Sequence, residues 1–234
     1  MDLGARDPGS VSAAPAVVLL SGGMDSAVAA ALALREGPIA CLHFTYGQRT
    51  ARRERRSFDF VAAALGCART RVIEMPYLGW MGGSALTDRG IEVPAADLQR
   101  RDIPPTYVPF RNAQFLSAAV AWAETLEAHA VVYGAVEEDG SGYPDCRGIF
   151  VEAFNRLIAA GARAGGALRV EAPLLHRRKS EIVRLGLEAG APLHLTWSCY
   201  LEEEVACGEC DSCALRLRGF REAGATDPIP YKKR

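Results

Sequence analysis

The sequence contains no run of about 18 apolar residues, so no helical membrane span is expected. It has almost no net charge: 27 Lys and Arg stand against 28 Asp and Glu, for a formal charge of -1 at pH 7. Without a field of one sign the surface cannot draw in nucleic acid broadly, and a small soluble substrate, with no direct nucleic-acid partner, is the expectation. The start, Met1-Asp2-Leu3-Gly4-Ala5-Arg6-Asp7, lacks the basic-then-apolar order of a signal peptide, which points to the cytoplasm. There is no internal repeat and no low-complexity run. Cytosolic thiols stay reduced, so the uneven spread of the seven cysteines carries information: Cys41, Cys67 and Cys146 are scattered, whereas Cys199, Cys207, Cys210 and Cys213 are packed together.

What is present is the material for one sizeable core: 49% of the 234 residues are hydrophobic, which favours a single domain with at most a small appendage. Residues 1–14 read as a disordered lead-in, 15–195 as the main domain, and 196–234 as a cysteine-bearing segment packed on it. Short apolar runs at Ala16 to Leu20, Ile39 to Phe44, Thr70 to Met75 and Ala130 to Gly134 read as strands, with a short edge strand in Leu168 to Pro173. Helical spacing lies between them: Ala27 to Leu34, Phe58 to Leu65, Phe115 to Leu126, Phe150 to Ile158 and Ile182 to Ala189. Strands alternating with helices predict an α/β, doubly wound and mainly parallel sheet with helices on both faces. The basic run Arg52-Arg53-Glu54-Arg55-Arg56 is expected to be a solvated helix face.

The chain is organised around Leu19-Leu20-Ser21-Gly22-Gly23-Met24-Asp25-Ser26-Ala27. Two glycines between a strand and a helix allow the backbone close to a ligand, and two serines add donors, which together make an anion cradle at a helix N-terminus. No Lys follows the glycines, so this is not the commoner mononucleotide loop. A plain strand-turn-helix joint with Ser26 as N-cap is the other reading of such a turn. Arg111 and Asn112 open a later helix, where a cation opposes the helix dipole and calls for an anion nearby. Lys179 and Ser180 open the last clear helix. Residues 77–106 are rich in Gly and Pro and show little periodicity, and a mobile lid over the substrate is expected there.

Cys199, Cys207, Cys210 and Cys213 are spaced C-x7-C-x2-C-x2-C. Two-residue gaps let thiolates converge on one ion, and four thiolates leave no open position for water, the signature of structural zinc. An iron–sulfur cluster is the main rival. Glu202-Glu203-Glu204 and Asp211-Ser212 make the segment too polar to be four reduced core cysteines without a metal.

Ser21-Gly22-Gly23-Met24-Asp25-Ser26 resembles the pyrophosphate loop of the N-type ATP pyrophosphatases. With Tyr46-Gly47-Gln48, Val108-Pro109-Phe110-Arg111-Asn112, Ser141-Gly142-Tyr143-Pro144-Asp145-Cys146-Arg147, Thr196-Trp197-Ser198-Cys199-Tyr200 and the cysteine cluster, nearly the whole chain resembles the 7-cyano-7-deazaguanine synthase family of queuosine biosynthesis. The resemblance implies that 7-carboxy-7-deazaguanine, ammonia and ATP give the nitrile through an activated carboxylate and an amide. It implies that residues 19–27 hold ATP, that Asp25, Arg111 and Lys179 serve catalysis, and that Asp25 helps hold Mg2+. It assigns Phe110, Asn112, Tyr143, Asp145 and Arg147 to the substrate, one structural zinc to the four cysteines, and a homodimer to the assembly. Two further readings stay open at this point: a tRNA-modifying adenylating enzyme of the same superfamily, and a non-catalytic adenine-nucleotide sensor.

Overall fold

The computed structural model describes residues 14–137 and 142–233; all of the 1–14 lead-in but Ala14, and Ser141 of the later loop motif, lie outside them. Five parallel strands form one sheet: β1 (Ala16–Leu19), β2 (Ile39–Thr45), β3 (Arg69–Glu74), β4 (Ala130–Tyr133) and β5 (Arg169–Glu171), in the order β3-β2-β1-β4-β5. All five follow the sequence reading. The helices are α1 (Met24–Glu36), α2 (Ala51–Ala64), α3 (Tyr77–Met81), α4 (Arg111–Thr125), α5 (Gly148–Gly161), α6 (Lys179–Ala189) and α7 (Asp211–Ala223).

The two-residue period of the strands sorts the core onto two faces. Val17, Leu19, Ala40 and Leu42 point to one side, where Phe115, Leu116 and Ala119 of α4 and Phe154 and Ile158 of α5 cover them. Ala16, Val18, Leu20 and Cys41 point to the other, against the alanine-rich α1, Phe58 and Val61 of α2, Ile182 and Val183 of α6, and Phe220 of α7. In register, Leu19 of β1 stands beside Leu42 of β2 and Tyr133 of β4. The chain winds outward in opposite directions from β1, so the carboxyl ends of β1 and β4 form a topological switch point, where such sheets hold ligands.

Three expectations change. The first helix starts at Met24, with Gly23 at the N-cap position and no side-chain cap, so Ser26 is not an N-cap. Helix α7 was hidden in the sequence because its buried stripe is Cys213, Arg216, Gly219 and Phe220, a pattern that shows little apolar periodicity. The 77–106 stretch is not an open loop over its whole length. Ser84, Ala85, Leu86 and Val93 are buried, and the Arg49 guanidinium donates to the carbonyls of Ala85 (2.6 Å), Asp88 (2.9 Å) and Ile91 (2.7 Å). Ala95 bridges Cys210, and the Ala96 amide donates to the Glu209 carbonyl at 2.8 Å, which ties this stretch to the cysteine cluster.

Candidate active site

A cleft of about 290 Å3 opens at the switch point. Its floor is the loop after β1. Ser26 Oγ donates to the Gly23 carbonyl at 2.9 Å and lies 3.0 Å from Ser21 Oγ, while the Ser21 amide donates to Ser26 Oγ at 3.2 Å. A hydroxyl has one proton, so with that of Ser26 on Gly23 the Ser21 hydroxyl is the donor between them. The two serines thus brace the loop as well as facing the cleft.

Gly22 lies at φ +86°, and a Cβ there would stand 2.6 Å from the Glu54 carbonyl. Its own carbonyl accepts from the Trp197 amide at 2.9 Å. The loop is therefore wedged between α2 and the chain leading to the cysteines, where only glycine fits. From the other side Gly134, just beyond β4, meets the loop so closely that a Cβ would lie 2.8 Å from the Asp25 carbonyl carbon.

Lys179 Nζ donates to Asp25 Oδ2 at 2.9 Å, and the lysine side chain is 8% exposed. Asp25 Oδ1 is buried with no hydrogen-bond partner. A buried unpartnered carboxylate oxygen is costly unless something binds it, and a hard divalent cation is the ligand that carboxylate oxygen suits. On the opposite wall the Arg111 Nη1 donates to Tyr46 Oη at 2.9 Å, and the guanidinium lies over the rings of Tyr46 (5.4 Å) and Phe115 (5.6 Å). Phe110, at φ 56°, holds the left-handed conformation that turns the chain into α4; such strain in a non-glycine residue gathers at functional sites.

Asp145 is 3% exposed and its Oδ2 accepts the Asn112 amide at 3.0 Å, capping the uncapped start of α4. Burial raises its pKa, partly offset by that amide. Asn112 Nδ2 reaches the Asp145 carbonyl and Cys146 Sγ, both at 3.4 Å. Burial pushes the Cys146 thiol up to about 12, which disfavours its thiolate. Tyr143 Oη is 2.8 Å from Thr106 Oγ1.

Of the residues singled out in the sequence, Leu19, Leu20, Ser21, Gly23, Met24, Asp25 and Ser26 line the cleft with Arg111, Asn112, Tyr143 and Lys179. Gly22 and Ala27 lie behind them as packing. Phe110, Asp145 and Arg147 are not in the lining: Phe110 is 63% exposed, Asp145 is behind Asn112, and Arg147 Nε turns back to the Pro144 carbonyl at 3.2 Å. The cleft also takes Glu54, Tyr133, Tyr200, Ser212 and Arg216, which the sequence had not marked as site residues. The run Arg52 to Arg56 is a solvated helix face at Arg52, Arg55 and Arg56, as expected, and Glu54 is its exception. Its carboxylate accepts from Thr50 Oγ1 (2.8 Å) and Gln48 Nε2 (3.1 Å), and burial raises its pKa against those hydrogen bonds.

The Sγ atoms of Cys199, Cys207, Cys210 and Cys213 all lie within 4.8 Å of one another. Cys199 Sγ accepts from the amides of Leu201, Glu202 and Cys207 at 3.3–3.4 Å, and Cys207 Sγ from those of Glu209 and Cys210 at 3.4 Å. Amide donors on converging sulfurs suit thiolates, and four soft thiolates in a closed cluster fit zinc rather than a hard ion. Cys210 is the N-cap of α7 and Cys213 sits in its first turn. The same helix brings Ser212, Leu215 and Arg216 to the cleft. The Arg216 guanidinium pairs with Asp227 at 2.8 Å, with the two side chains 1% and 4% exposed, and Tyr231 Oη donates to Asp227 Oδ2 at 2.7 Å.

The family model described as queuosine biosynthesis protein QueC matches residues 15–224. A protein of Acidobacterium capsulatum named 7-cyano-7-deazaguanine synthase is 57% identical over 223 residues, covering 94% of this chain and 97% of that one. One of Koribacter versatilis with the same name is 56% identical over 223 residues, 94% of each chain. A third, from Chlorobium phaeobacteroides, is 52% identical over 220 residues, 94% of this chain and 97% of that one.

Proposed function

The chain belongs to the QueC family of queuosine biosynthesis proteins, and we infer that its reaction is the ATP-dependent conversion of 7-carboxy-7-deazaguanine and ammonia to 7-cyano-7-deazaguanine. It is an enzyme that forms carbon–nitrogen bonds. The observation that carries the reading is a pyrophosphate loop whose Asp25 pairs with Lys179 at the switch point, in a chain that matches relatives of that name over almost their full length.

The chemical problem is a poor leaving group. A carboxylate oxygen does not depart when ammonia attacks, but transfer of an adenylyl or phosphoryl group from ATP onto that oxygen, with loss of pyrophosphate or ADP, turns it into a good leaving group. The same activation of the amide oxygen in a second round gives the nitrile, with the oxygen leaving on AMP or phosphate and the nitrogen losing its protons. In both rounds negative charge grows on the departing phosphate groups. We assign its stabilisation to the amides of residues 21–26, to Lys179 and to Arg111, fixed donors in a low-dielectric cleft. Mg2+ held on Asp25, when bound, supplies further neutralisation of that charge. The buried Oδ1 of Asp25 supports this assignment.

Asn112 and Tyr143 line the half of the cleft opposite the loop and are assigned to the deazaguanine substrate, with Asp145 as the group that positions Asn112. Phe110 and Arg147 remain in the substrate assignment only as residues of the closing rim. One zinc per chain, a cytoplasmic location and a homodimer complete the reading. The highly exposed Trp80 (80%) and Met81 (72%) supply apolar surface for the second copy. Mass spectrometry of products after incubation with the 7-carboxy compound, ammonium and MgATP tests the whole. The expected product is the nitrile, with AMP or ADP released in step. Nucleotide turnover without nitrile overturns it.

A further inference from the structure

Among the described residues, five that line the cleft carry charge: Asp25, Glu54, Arg111, Lys179 and Arg216. Asp25 and Lys179 neutralise one another at 2.9 Å. Arg216 is taken by Asp227 at 2.8 Å. That leaves one cation, Arg111, and one anion, Glu54, with no ion pair inside 4.0 Å among the described residues. Arg111 is held by the neutral oxygens of Tyr46 (2.9 Å) and Asn112 (3.3 and 3.4 Å). Glu54 is held by two neutral donors, Thr50 Oγ1 at 2.8 Å and Gln48 Nε2 at 3.1 Å. These holders are themselves fixed: the Tyr46 amide donates to Gln48 Oε1 at 2.8 Å, so the segment from Tyr46 to Glu54 presents both charges as one unit.

Glu54 is half-buried, and a carboxylate partly withdrawn from water with no cation paired to it is unfavourable, which a cation supplied by a ligand relieves. The reaction inferred above brings one anionic carboxylate and one cationic nucleophile source, since ammonia is chiefly ammonium near neutral pH. We propose that Glu54 is the ammonium site of the cleft. Its two oxygens each have acceptor capacity left after Thr50 and Gln48 are served, and a small tetrahedral cation uses it without displacing either donor. Arg111, across the same segment, keeps its charge for the departing phosphate groups. Held at Glu54, in a pocket separate from the Asp25–Lys179 pair that faces the phosphates, ammonium gives a proton to the Glu54 carboxylate, and the ammonia so formed attacks the activated carbonyl and displaces the oxygen as AMP or phosphate.

The proposal rests on the functional reading, and the experiment separates the two. Nitrile formation is measured for the wild-type chain and for Glu54→Gln, with ammonium, the 7-carboxy compound, MgATP and free magnesium varied in turn, and thermal unfolding followed in parallel. A wild-type chain that makes no nitrile overturns the reading itself and the proposal with it. Given wild-type turnover, the expected result for the variant is a rise of about tenfold or more in KM for ammonium, the loss typical of a charged hydrogen-bonding partner. The KM values for the other two substrates then stay within about twofold of wild type. Glu54→Asp, which keeps the charge, recovers part of the ammonium affinity. Four results overturn it: an unchanged ammonium KM; a rise confined to the 7-carboxy compound, which would make Glu54 a reader of the ring; a rise in the magnesium requirement alone; or all parameters falling together with the unfolding midpoint, the mark of a structural brace.

Discussion

Gly219 of α7 lies against the stem of Lys179: a Cβ added there would stand 2.6 Å from Lys179 Cγ and 3.1 Å from its Cβ. The lysine that pairs with Asp25 is therefore aimed by a glycine on the cysteine-bearing helix. Gly219→Ala is expected to push Lys179 off Asp25 and lower kcat at least tenfold, with an overpacking cost of about 1–3 kcal/mol. Gly224→Ala is the control on the same helix end. It leaves open space around its Cβ but sits at φ +74°, so it strains the cap and costs stability without touching the lysine. Equal loss of activity in the two variants at matched stability would show that the contact does not matter.

Asp25→Asn is expected to abolish turnover while the fold stays intact. The amide keeps the side-chain shape, yet it leaves Lys179 without its anion and the buried Oδ1 position without charge for a cation. A loss of at least about a hundredfold in kcat is expected, on the scale of removing a fixed electrostatic group. Circular dichroism and thermal unfolding check the fold. A variant unfolded at room temperature would make Asp25 a structural residue, and one with full activity would end its assignment to metal and phosphate.

Removing the metal is expected to affect more than stability. A closed site with no open position for water takes no part in the chemistry, but Cys210 is the N-cap of α7, and that helix carries Ser212, Leu215 and Arg216 to the cleft. Elemental analysis should give one zinc per chain, and a site of this type stabilises the fold by on the order of 10 kcal/mol. Chelation or Cys210→Ser should weaken nucleotide binding, read by calorimetry, in parallel with the fall in unfolding temperature. Full nucleotide affinity in a zinc-free, folded chain would show that α7 holds its place without the metal.

These residues also show how far the sequence reached. The strands were legible because β1, β2 and β4 are apolar runs buried on both faces, and the loop because Gly22 and Gly23 stand where backbone must approach backbone. The four cysteines were legible as a cluster for the same local reason. Glu54 was not, because its neighbours Arg52, Arg55 and Arg56 are solvated and only the meeting of β2, α2 and α4 turns one helix face into a cleft wall. Helix α7 was missed because a buried ion pair and a glycine replace the apolar stripe that periodicity needs. Asp145 belongs to the loop that reaches the cleft yet stands behind Asn112 and not in the lining, since the difference between lining a site and bracing it is a tertiary fact.

His43 is expected to make the fold acid-sensitive. It is 1% exposed, its Nδ1–H donates to the Leu20 carbonyl at 3.1 Å just ahead of the loop, and its Nε2 has no partner. Burial lowers its pKa to about 4, with the Leu20 hydrogen bond opposing the shift only in part. The unfolded chain takes up the proton near pH 6.5 and the folded chain only near 4, so His43's contribution to stability is complete above 6.5 and is lost as pH falls toward 4. Between pH 7.5 and 5 this amounts to roughly 2 kcal/mol. Urea unfolding at the two pH values measures it, and His43→Gln should flatten the dependence by about that amount. An unchanged slope in the variant would assign the acid sensitivity elsewhere.

Closure over the substrate should be confined to part of the 77–106 stretch. Residues 84–97 are pinned: the Ala85 amide donates to the Pro105 carbonyl at 2.8 Å, the Asp97 amide to Asp211 Oδ1 at 2.9 Å, and Arg49 holds three carbonyls between them. Residues 98–106 expose Leu98 and Ile103, yet they touch the loop that brings Tyr143 to the cleft. Thr106 Oγ1 is 2.8 Å from Tyr143 Oη, and a Cβ on Gly142 would lie 3.1 Å from the Asp102 carbonyl oxygen. An activated carboxylate must be kept from water until ammonia attacks, and a closing segment is the usual means. Hydrogen exchange with and without the 7-carboxy compound and a nucleotide analogue is expected to show strong protection at 84–97 in both states. New protection should appear with both ligands at 98–106 and 142–147. Equal protection of 98–106 in the two states would make it a fixed part of the wall, and exchange that rose and fell across the whole of 77–106 would show that the Arg49 contacts do not anchor it.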